Sequence, residues 1–200
     1  MKTAAHHWLR ACAVLVLATT VDARANGQIV EQVKTYAISG TTAPELYASI
    51  GERGPKASVG RAIAHTNFKL TWQRKYEPQG DACTLVAAKP RLIITYTLPK
   101  PAGRLPAALQ QRWDVFYEGV RRHELVHGEM IKQMVATIEK TTIGLSVPGD
   151  PGCKKIRQEI TRPLSEASLA QRQQSSDFDR VELGDGGNVH RLILTFVNGQ

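Results

Sequence analysis

Two histidines and a glutamate in this sequence have the types and the spacing of a metal-dependent hydrolytic site. His123, Glu124 and His127 form the pattern H-E-x-x-H. Because residues four apart on a helix point to the same side, one turn from each other, both imidazoles could bind one Zn²⁺ at ~2.0–2.1 Å. Glu124 would face a zinc-activated water and act as its general base. The pattern therefore predicts a Zn²⁺ cofactor held by His123 and His127, with Glu124 as the catalytic residue.

A catalytic zinc site needs a third protein ligand and leaves its fourth position open. Glu139 follows His127 on the same predicted helix, but at ~18 Å along the axis it lies too far away. The remaining candidates belong to the next helix or to a glycine-rich segment that could fold back over the site: Glu159, Glu166, Asp179, Glu182, Asp185 and His190. The glycine-rich segment is favoured, and the residues alone leave the choice within it open.

An oxyanion donor is also expected. Its unranked candidates are His65, Tyr96, Tyr117 and Arg121.

The motif lies inside a pattern that predicts one long helix. From about Leu105 to Ile143 the apolar residues recur at intervals of three or four, or multiples of these, as on one helix face. Pro106 would begin this helix and Gly144 would end it. The two histidines fill a gap in the apolar stripe, so we expect them to face inward.

The segments around this helix predict an α+β fold. Before it, alternating residues predict strands in IVEQVKTYAISG and HTNFKLTWQRKY, and one or two more in CTLVAAKPRLIITYTLP, split at Lys89-Pro90. Thr42 and Pro44 predict the start of a short helix after the first strand. A second helix is expected from about Cys153 to Gln174, followed by a polar glycine-rich loop and a final strand or tail. The predicted architecture is an antiparallel sheet, then the long H-E-x-x-H helix, then a second packing helix, in a zincin-like arrangement.

The N-terminus has the pattern of a secretory signal peptide. A basic start, a short apolar run and an A-x-A sequence predict that residues 1–25 are removed and that residues 26–200 form a single domain. No later apolar run is long enough to span a membrane, so we expect a secreted or periplasmic protein without a transmembrane segment. In an exported chain, the two remaining cysteines, Cys83 and Cys153, imply one disulfide that closes a long loop.

The composition is that of a basic globular protein. Hydrophobic residues make up 42% and charged residues 22% of the chain, with a formal net charge of +8. Removal of residues 1–25 takes away three basic residues and one acid, which leaves a net charge of about +6. This charge suits an anionic envelope surface better than nucleic acid, which we exclude as a partner. Along the sequence, however, no basic cluster is dense enough to predict a patch.

Several of these segments together resemble a known family. The stretches YAISGTTAPEL, HTNFKLTW, CTLVAAKPRLIITYTLP and RWDVFYEGVRRHELVHGEM resemble the bacterial predicted secreted zinc-dependent proteases, a domain of unknown function (number 922). The resemblance covers nearly all of the chain after residue 25, and Cys83 and Cys153 match the family's two cysteines. The family commonly has a Y-D-x-x-T-x-H-G-like stretch near its C-terminus. Here Phe178-Asp179 match Y-D, and Asp185-Gly186 fall where H-G would be.

The resemblance implies an exported zinc metallopeptidase that hydrolyses peptide bonds in a peptide or protein substrate. It also implies Asp185 as the third zinc ligand, beside His123 and His127. Two alternatives remain: a non-catalytic zincin-like module for envelope binding or assembly, and a metal-dependent cell-wall amidase. The sequence makes no prediction about oligomeric state.

Overall fold

The computed structural model describes residues 27–57 and 60–199, so the predicted signal peptide lies outside the described residues. The expected α+β fold is confirmed. The elements in chain order are β1 (Gln28–Ile38), α1 (Ala43–Arg53), β2 (His65–Gln79), β3 (Ala82–Pro101), α2 (Ala107–Thr142), β4 (Ser146–Val147), α3 (Lys155–Glu159), α4 (Thr161–Leu183) and α5 (Asn188–Asn198). Within these ranges, no helix combines the length and apolar character needed to cross a membrane.

The sheet is mixed rather than antiparallel, so this part of the prediction is wrong. β3 lies between β1 and β2, and the short β4 pairs with the beginning of β3. β2 and β3 form an antiparallel hairpin around a two-residue turn, in which Gly80 adopts a φ of 65°. β1 instead pairs with β3 in parallel, because α1 and all of β2 intervene before the chain returns beside it.

β3 is one continuous strand of 20 residues, which contradicts the expected break at Lys89-Pro90. Proline cannot donate a backbone hydrogen bond and is tolerated in strands where no neighbour needs that donor. The pairing with β1 begins only at Arg91, so Pro90 lies beside the end of that neighbouring strand.

α2 confirms the predicted long helix, with Pro106 at its N-cap and 36 residues. Its apolar stripe packs against alternate residues of β3, of which Leu92, Ile94 and Leu98 are fully buried. Hydrophobic burial along this interface holds α2 on one face of the sheet. The H-E-x-x-H motif occupies the centre of α2. His123 is buried and His127 half-buried, so both face inward as expected, and Glu124 is buried as well.

The C-terminal region is more helical than predicted. The predicted second helix is two helices, α3 and α4, and α4 extends to Leu183, so the glycine-rich loop is only the short turn between α4 and α5. The segment predicted as a final strand or tail forms the helix α5. Its residues Val189, Leu192, Ile193 and Phe196 follow the i, i+3, i+4, i+7 spacing of a helix face, and Phe196 stacks on Phe116 of α2.

A capping box begins α1, and a disulfide joins β3 to the segment before α3. Thr42 forms the capping box predicted at the start of α1, because its side chain accepts a hydrogen bond from Glu45 N–H while the Glu45 carboxylate reaches back to Thr42 N–H. The expected disulfide joins Cys83 of β3 to Cys153, just before α3. It lies in a second hydrophobic cluster, with Leu85 and other residues from the beginning of β3 and from α3.

Candidate metal centre

The centre of α2 and the end of α4 bring two imidazoles and one carboxylate together. Asp179 Oδ1 lies 3.1 Å from His123 Nε2 and 2.9 Å from His127 Nε2. The two Nε2 atoms are 3.2 Å apart. His123, His127 and Asp179 form the only cluster of three or more potential metal ligands among residues 27–57 and 60–199. We call these three residues the H-H-D cluster.

The shape of the H-H-D cluster matches the ligand spacing of a tetrahedral zinc site. Ligands at ~2.0–2.1 Å from a tetrahedral ion are separated from one another by about 3.3–3.4 Å. The three ligand atoms of the cluster form a triangle with sides of 2.9, 3.1 and 3.2 Å. These residues therefore fit a zinc ion with only a small expansion of the triangle. The donor set of two imidazoles and one carboxylate is also one that zinc accepts in catalytic sites.

His127 is oriented by a chain of polar side chains from α4. Its Nδ1 lies 3.2 Å from Ser175 Oγ. The hydroxyl of Ser175 accepts a hydrogen bond from the Gln171 amide at 2.9 Å and donates toward Met130 Sδ at 3.7 Å. Because the Ser175 hydrogen is directed to sulfur, its oxygen accepts from His127 Nδ1–H. With this hydrogen on Nδ1, the ring would offer the lone pair of Nε2, the atom that points into the cluster, to a metal ion in exchange for the hydrogen that Nε2 donates to Asp179 Oδ1.

His123 is held by packing more than by hydrogen bonds. Its ring stacks on Phe178 with centroids 4.8 Å apart, and Phe178 also meets His127 edge-on. The His123 Nδ1 atom is buried without a hydrogen-bond partner. The closest acid is Glu182, whose Oε2 lies 4.0 Å from Nδ1. This position is typical of the outer carboxylate that orients a metal-binding histidine, at a distance slightly too long for a hydrogen bond.

Glu124 lies beside the H-H-D cluster and is only 5% exposed. The Thr66 hydroxyl on β2 contacts its Oε2 at 2.6 Å. Burial raises the pKa of the Glu124 carboxyl, and this effect outweighs the opposing influence of Thr66 and the neighbouring histidines. A buried carboxylate with a raised pKa is a stronger base than an exposed one.

The charges of the H-H-D cluster stabilise one another. Burial acts to raise the pKa of Asp179, but hydrogen bonds from His123 and His127 outweigh it and hold this pKa far below its usual range. For His127, burial acts to lower the pKa, but Asp179 and Glu124 outweigh it and raise this pKa. Asp179 is therefore an anion whenever the cluster is assembled near neutral pH.

A cavity of ≈ 700 Å³ opens onto the cluster. Its walls come from the beginning of β2 and the segment before it, from α2, from α4 and from α5. Glu124, Thr66 and all three residues of the H-H-D cluster line it. The Asp179 side chain is 42% exposed, so the cluster is reached from the side of α4. A ligand in this cavity would contact Glu124 and the cluster at the same time.

The structure brings Asp179, and not Asp185, to the two histidines. Asp185 is exposed in the turn after α4, and it does not belong to the H-H-D cluster. The preference for the glycine-rich segment depended on a loop that folds back over the site, and the family resemblance singled out Asp185 within that segment. The segment is helical through Leu183, so the residue that faces α2 is Asp179, which the sequence offered only as one candidate among six. Of the others, Glu182 lies next to the cluster, and His190 accepts a hydrogen bond from Gly186 N–H.

Two of the four oxyanion candidates have other partners. The Tyr96 hydroxyl donates to Glu31 Oε1 at 2.5 Å, and Arg121 pairs with Glu118 through two hydrogen bonds. His65 remains available at the cavity wall. Sequence reasoning also missed Ser175 and Gln171. The spacing of Gln171, Ser175 and Asp179, four residues apart on one helix face, was the signal that could have identified them.

Fold and site together define an α+β protein in which two helices place two imidazoles and a carboxylate at a cavity. The particular family follows from the sequence: the chain belongs to the bacterial family described as "Bacterial protein of unknown function (DUF922)", whose model matches residues 33–187. The match confirms the resemblance to domain of unknown function 922 and assigns no activity to it. No curated protein and no solved structure gives a significant match.

Proposed function

We propose that this protein is an exported zinc metallopeptidase. The observation that carries the proposal is the convergence of the H-H-D cluster and Glu124 on one cavity. When bound, zinc would supply a Lewis acid that polarises a carbonyl and lowers the pKa of water. His123, His127 and Asp179 are the residues that would hold it.

Glu124 is the residue proposed to move protons. It would accept a proton from the attacking water and deliver it to the nitrogen of the departing amine. Its burial supports this role, because a carboxylate shielded from bulk water binds the proton more tightly during the reaction. Thr66 holds Oε2, which fixes the carboxylate while leaving Oε1 without a described side-chain partner.

The position of β2 favours an extended peptide as the substrate. β2 is an edge strand, since the order of the main sheet is β1-β3-β2. An edge strand offers unpaired backbone groups to an extended chain. Thr66 lies on this strand and contacts Glu124, so a peptide paired with the beginning of β2 would pass beside the proposed base. The same geometry gives no particular support to a compact substrate.

The test combines metal content with peptide cleavage. We expect one zinc per chain in the wild type, and zinc retained with cleavage lost in Glu124→Gln. Glu129→Gln is the matched control, because Glu129 is an exposed glutamate five residues further along α2. It should keep both zinc and activity. A wild-type protein that binds no zinc at micromolar concentrations would refute the proposal, and cleavage of cell-wall fragments but not peptides would indicate an amidase instead.

Export is the second part of the proposal and needs its own test. The N-terminal residue of the protein recovered from the periplasm or medium should be Asn26. Recovery of the intact chain in the cytoplasm would contradict the proposed localisation, whatever the result of the zinc measurement.

A further inference from the structure

The sheet has one face covered by helices and one face directed to solvent. Leu92, Ile94 and Leu98 of β3 are buried against the helices. Because strand residues alternate between faces, the residues between them point the opposite way. We call this opposite side the outer face. It consists of Val30, Gln32, Lys34, Asn67, Lys69, Thr71, Gln73, Lys89, Arg91, Ile93, Thr95 and Thr97.

Pairing across the strands supports this assignment. Lys69 is opposite Ile93, Lys34 is opposite Thr97, and Arg91 is opposite Thr71. Paired residues on neighbouring strands point to the same side. No residue of the outer face is buried.

Four cations on the outer face form no salt bridge. Lys34, Lys69, Lys89 and Arg91 are all exposed. Across the described ranges 27–57 and 60–199, the salt bridges involve other cations, and none of these four forms one. The same side of β2 continues to Lys75 and Glu77, whose charges cancel in a salt bridge of 2.6 Å. The four unpaired cations therefore give the outer face a net positive charge.

Lys69, Lys89 and Arg91 lie close together although β2 and β3 supply them from separate parts of the sequence, and Lys34 lies on the same face roughly 20 Å from Arg91. β1, β2 and β3 each contribute at least one of them. Lys69 and Arg91 are diagonal neighbours on adjacent strands, where such positions are about 7–8 Å apart. The folded sheet thus places on one face cations that the linear sequence keeps apart.

We propose that the outer face docks on the surface of a bilayer that contains anionic phospholipid. The face is an open sheet surface in which threonine, glutamine and asparagine separate the cations, so several cations can reach one charged plane together. Each lysine or arginine near such a surface strengthens binding about fivefold. The outer face has no aromatic residue on which nucleic acid bases could stack, which argues against single-stranded nucleic acid.

Docking through the outer face would leave the H-H-D cluster accessible. α2 packs on the opposite face of the sheet, so the sheet would separate the cluster from the bilayer. The proposal does not depend on the proposed peptidase activity, because no residue of the cluster belongs to the outer face.

Co-sedimentation with vesicles tests the proposal. The probes are vesicles of equimolar phosphatidylglycerol and phosphatidylcholine, compared with vesicles of phosphatidylcholine alone. We expect binding to the anionic vesicles only, weakened by added salt. Replacement of Lys34, Lys69, Lys89 and Arg91 by glutamine should weaken it by on the order of several hundredfold.

The matched control removes the same charge from other exposed positions: Arg104→Gln, Arg122→Gln, Lys140→Gln and Arg172→Gln. This variant should bind within a fewfold of the wild type, and thermal unfolding should show that both variants fold. A triple Lys→Arg variant of the outer face should also bind as the wild type does. All variants carry the same N-terminal residues, so that segment cannot cause a difference between them.

Three outcomes would overturn the proposal. Equal binding to both kinds of vesicle would exclude charge recognition. Equal weakening in the control variant would assign binding to net charge and not to the outer face. Tighter binding to single-stranded RNA or to an anionic polysaccharide at the same salt concentration would identify a different partner.

Discussion

Ser175 offers the sharpest test of how the candidate metal centre is organised. Its hydroxyl is the only described hydrogen-bond partner of His127 Nδ1, at 3.2 Å, among residues 27–57 and 60–199. In Ser175→Ala the ring loses the acceptor that keeps the hydrogen on Nδ1 and the lone pair on Nε2. Loss of such an outer partner lowers metal affinity about 10–100-fold, which corresponds to roughly 1.4–2.7 kcal/mol. The buried Gln171 amide also loses its acceptor, so we expect a modestly lower unfolding temperature without metal.

The assay is a zinc titration in competition with a chromophoric chelator. Ser176→Ala is the matched control, because Ser176 is the next residue on α4, is exposed and has no described side-chain hydrogen bond. Its zinc affinity should equal that of the wild type. If Ser175→Ala also binds zinc as tightly as the wild type, the tautomer argument is wrong. If the wild type itself binds no zinc, the proposed function fails before the role of Ser175 is reached.

Three further predictions concern stability. Reduction of the Cys83–Cys153 disulfide, which joins residues 70 apart in sequence, should cost about 4 kcal/mol by loop-closure entropy, or roughly 8–16 °C in unfolding temperature. Gly128→Ala should destabilise the protein by about 1–3 kcal/mol in denaturant unfolding, because its Cβ would lie 2.0 Å from the buried Tyr96 hydroxyl. Thr42→Ala should cost about 1 kcal/mol in the same measurement, through loss of the capping box at α1.

Each of these predictions has a clear contrary result. An unfolding temperature unaffected by reductant would show that the disulfide constrains little of the unfolded chain. Wild-type stability in Gly128→Ala would mean that Tyr96 moves aside at no cost. A loss well below 0.5 kcal/mol in Thr42→Ala would mean that water replaces the cap.

The sequence predicted the parts of the site that lie on strongly periodic elements. α2 was identifiable because its apolar stripe is long and a proline and a glycine mark its ends. The predicted second helix ended too early, at about Gln174, because the face of α4 that packs against α2 carries Gln171, Ser175 and Asp179. These polar residues serve the cluster, and so the hydrophobic period that marks a helix is missing there.

The other differences have separate physical causes. The short apolar run of α5 fits a strand or a helix equally well from its composition. Residue alternation predicts that β1 is a strand, but it does not predict which strand β1 pairs with or in which direction. The outer face arises only when three strands align, so no linear stretch contains it.

The length of α2 also shapes the motion of the whole molecule in solution. Its 36 residues extend ~54 Å at 1.5 Å per residue. A spherical domain of ~170 residues has a radius of gyration of about 16 Å and hence a diameter of about 40 Å. α2 is therefore longer than the diameter of that sphere, so the described part of the chain is not spherical and its rotational diffusion is anisotropic. His123 and His127 lie near the midpoint of α2, roughly 27 Å from either end of the helix.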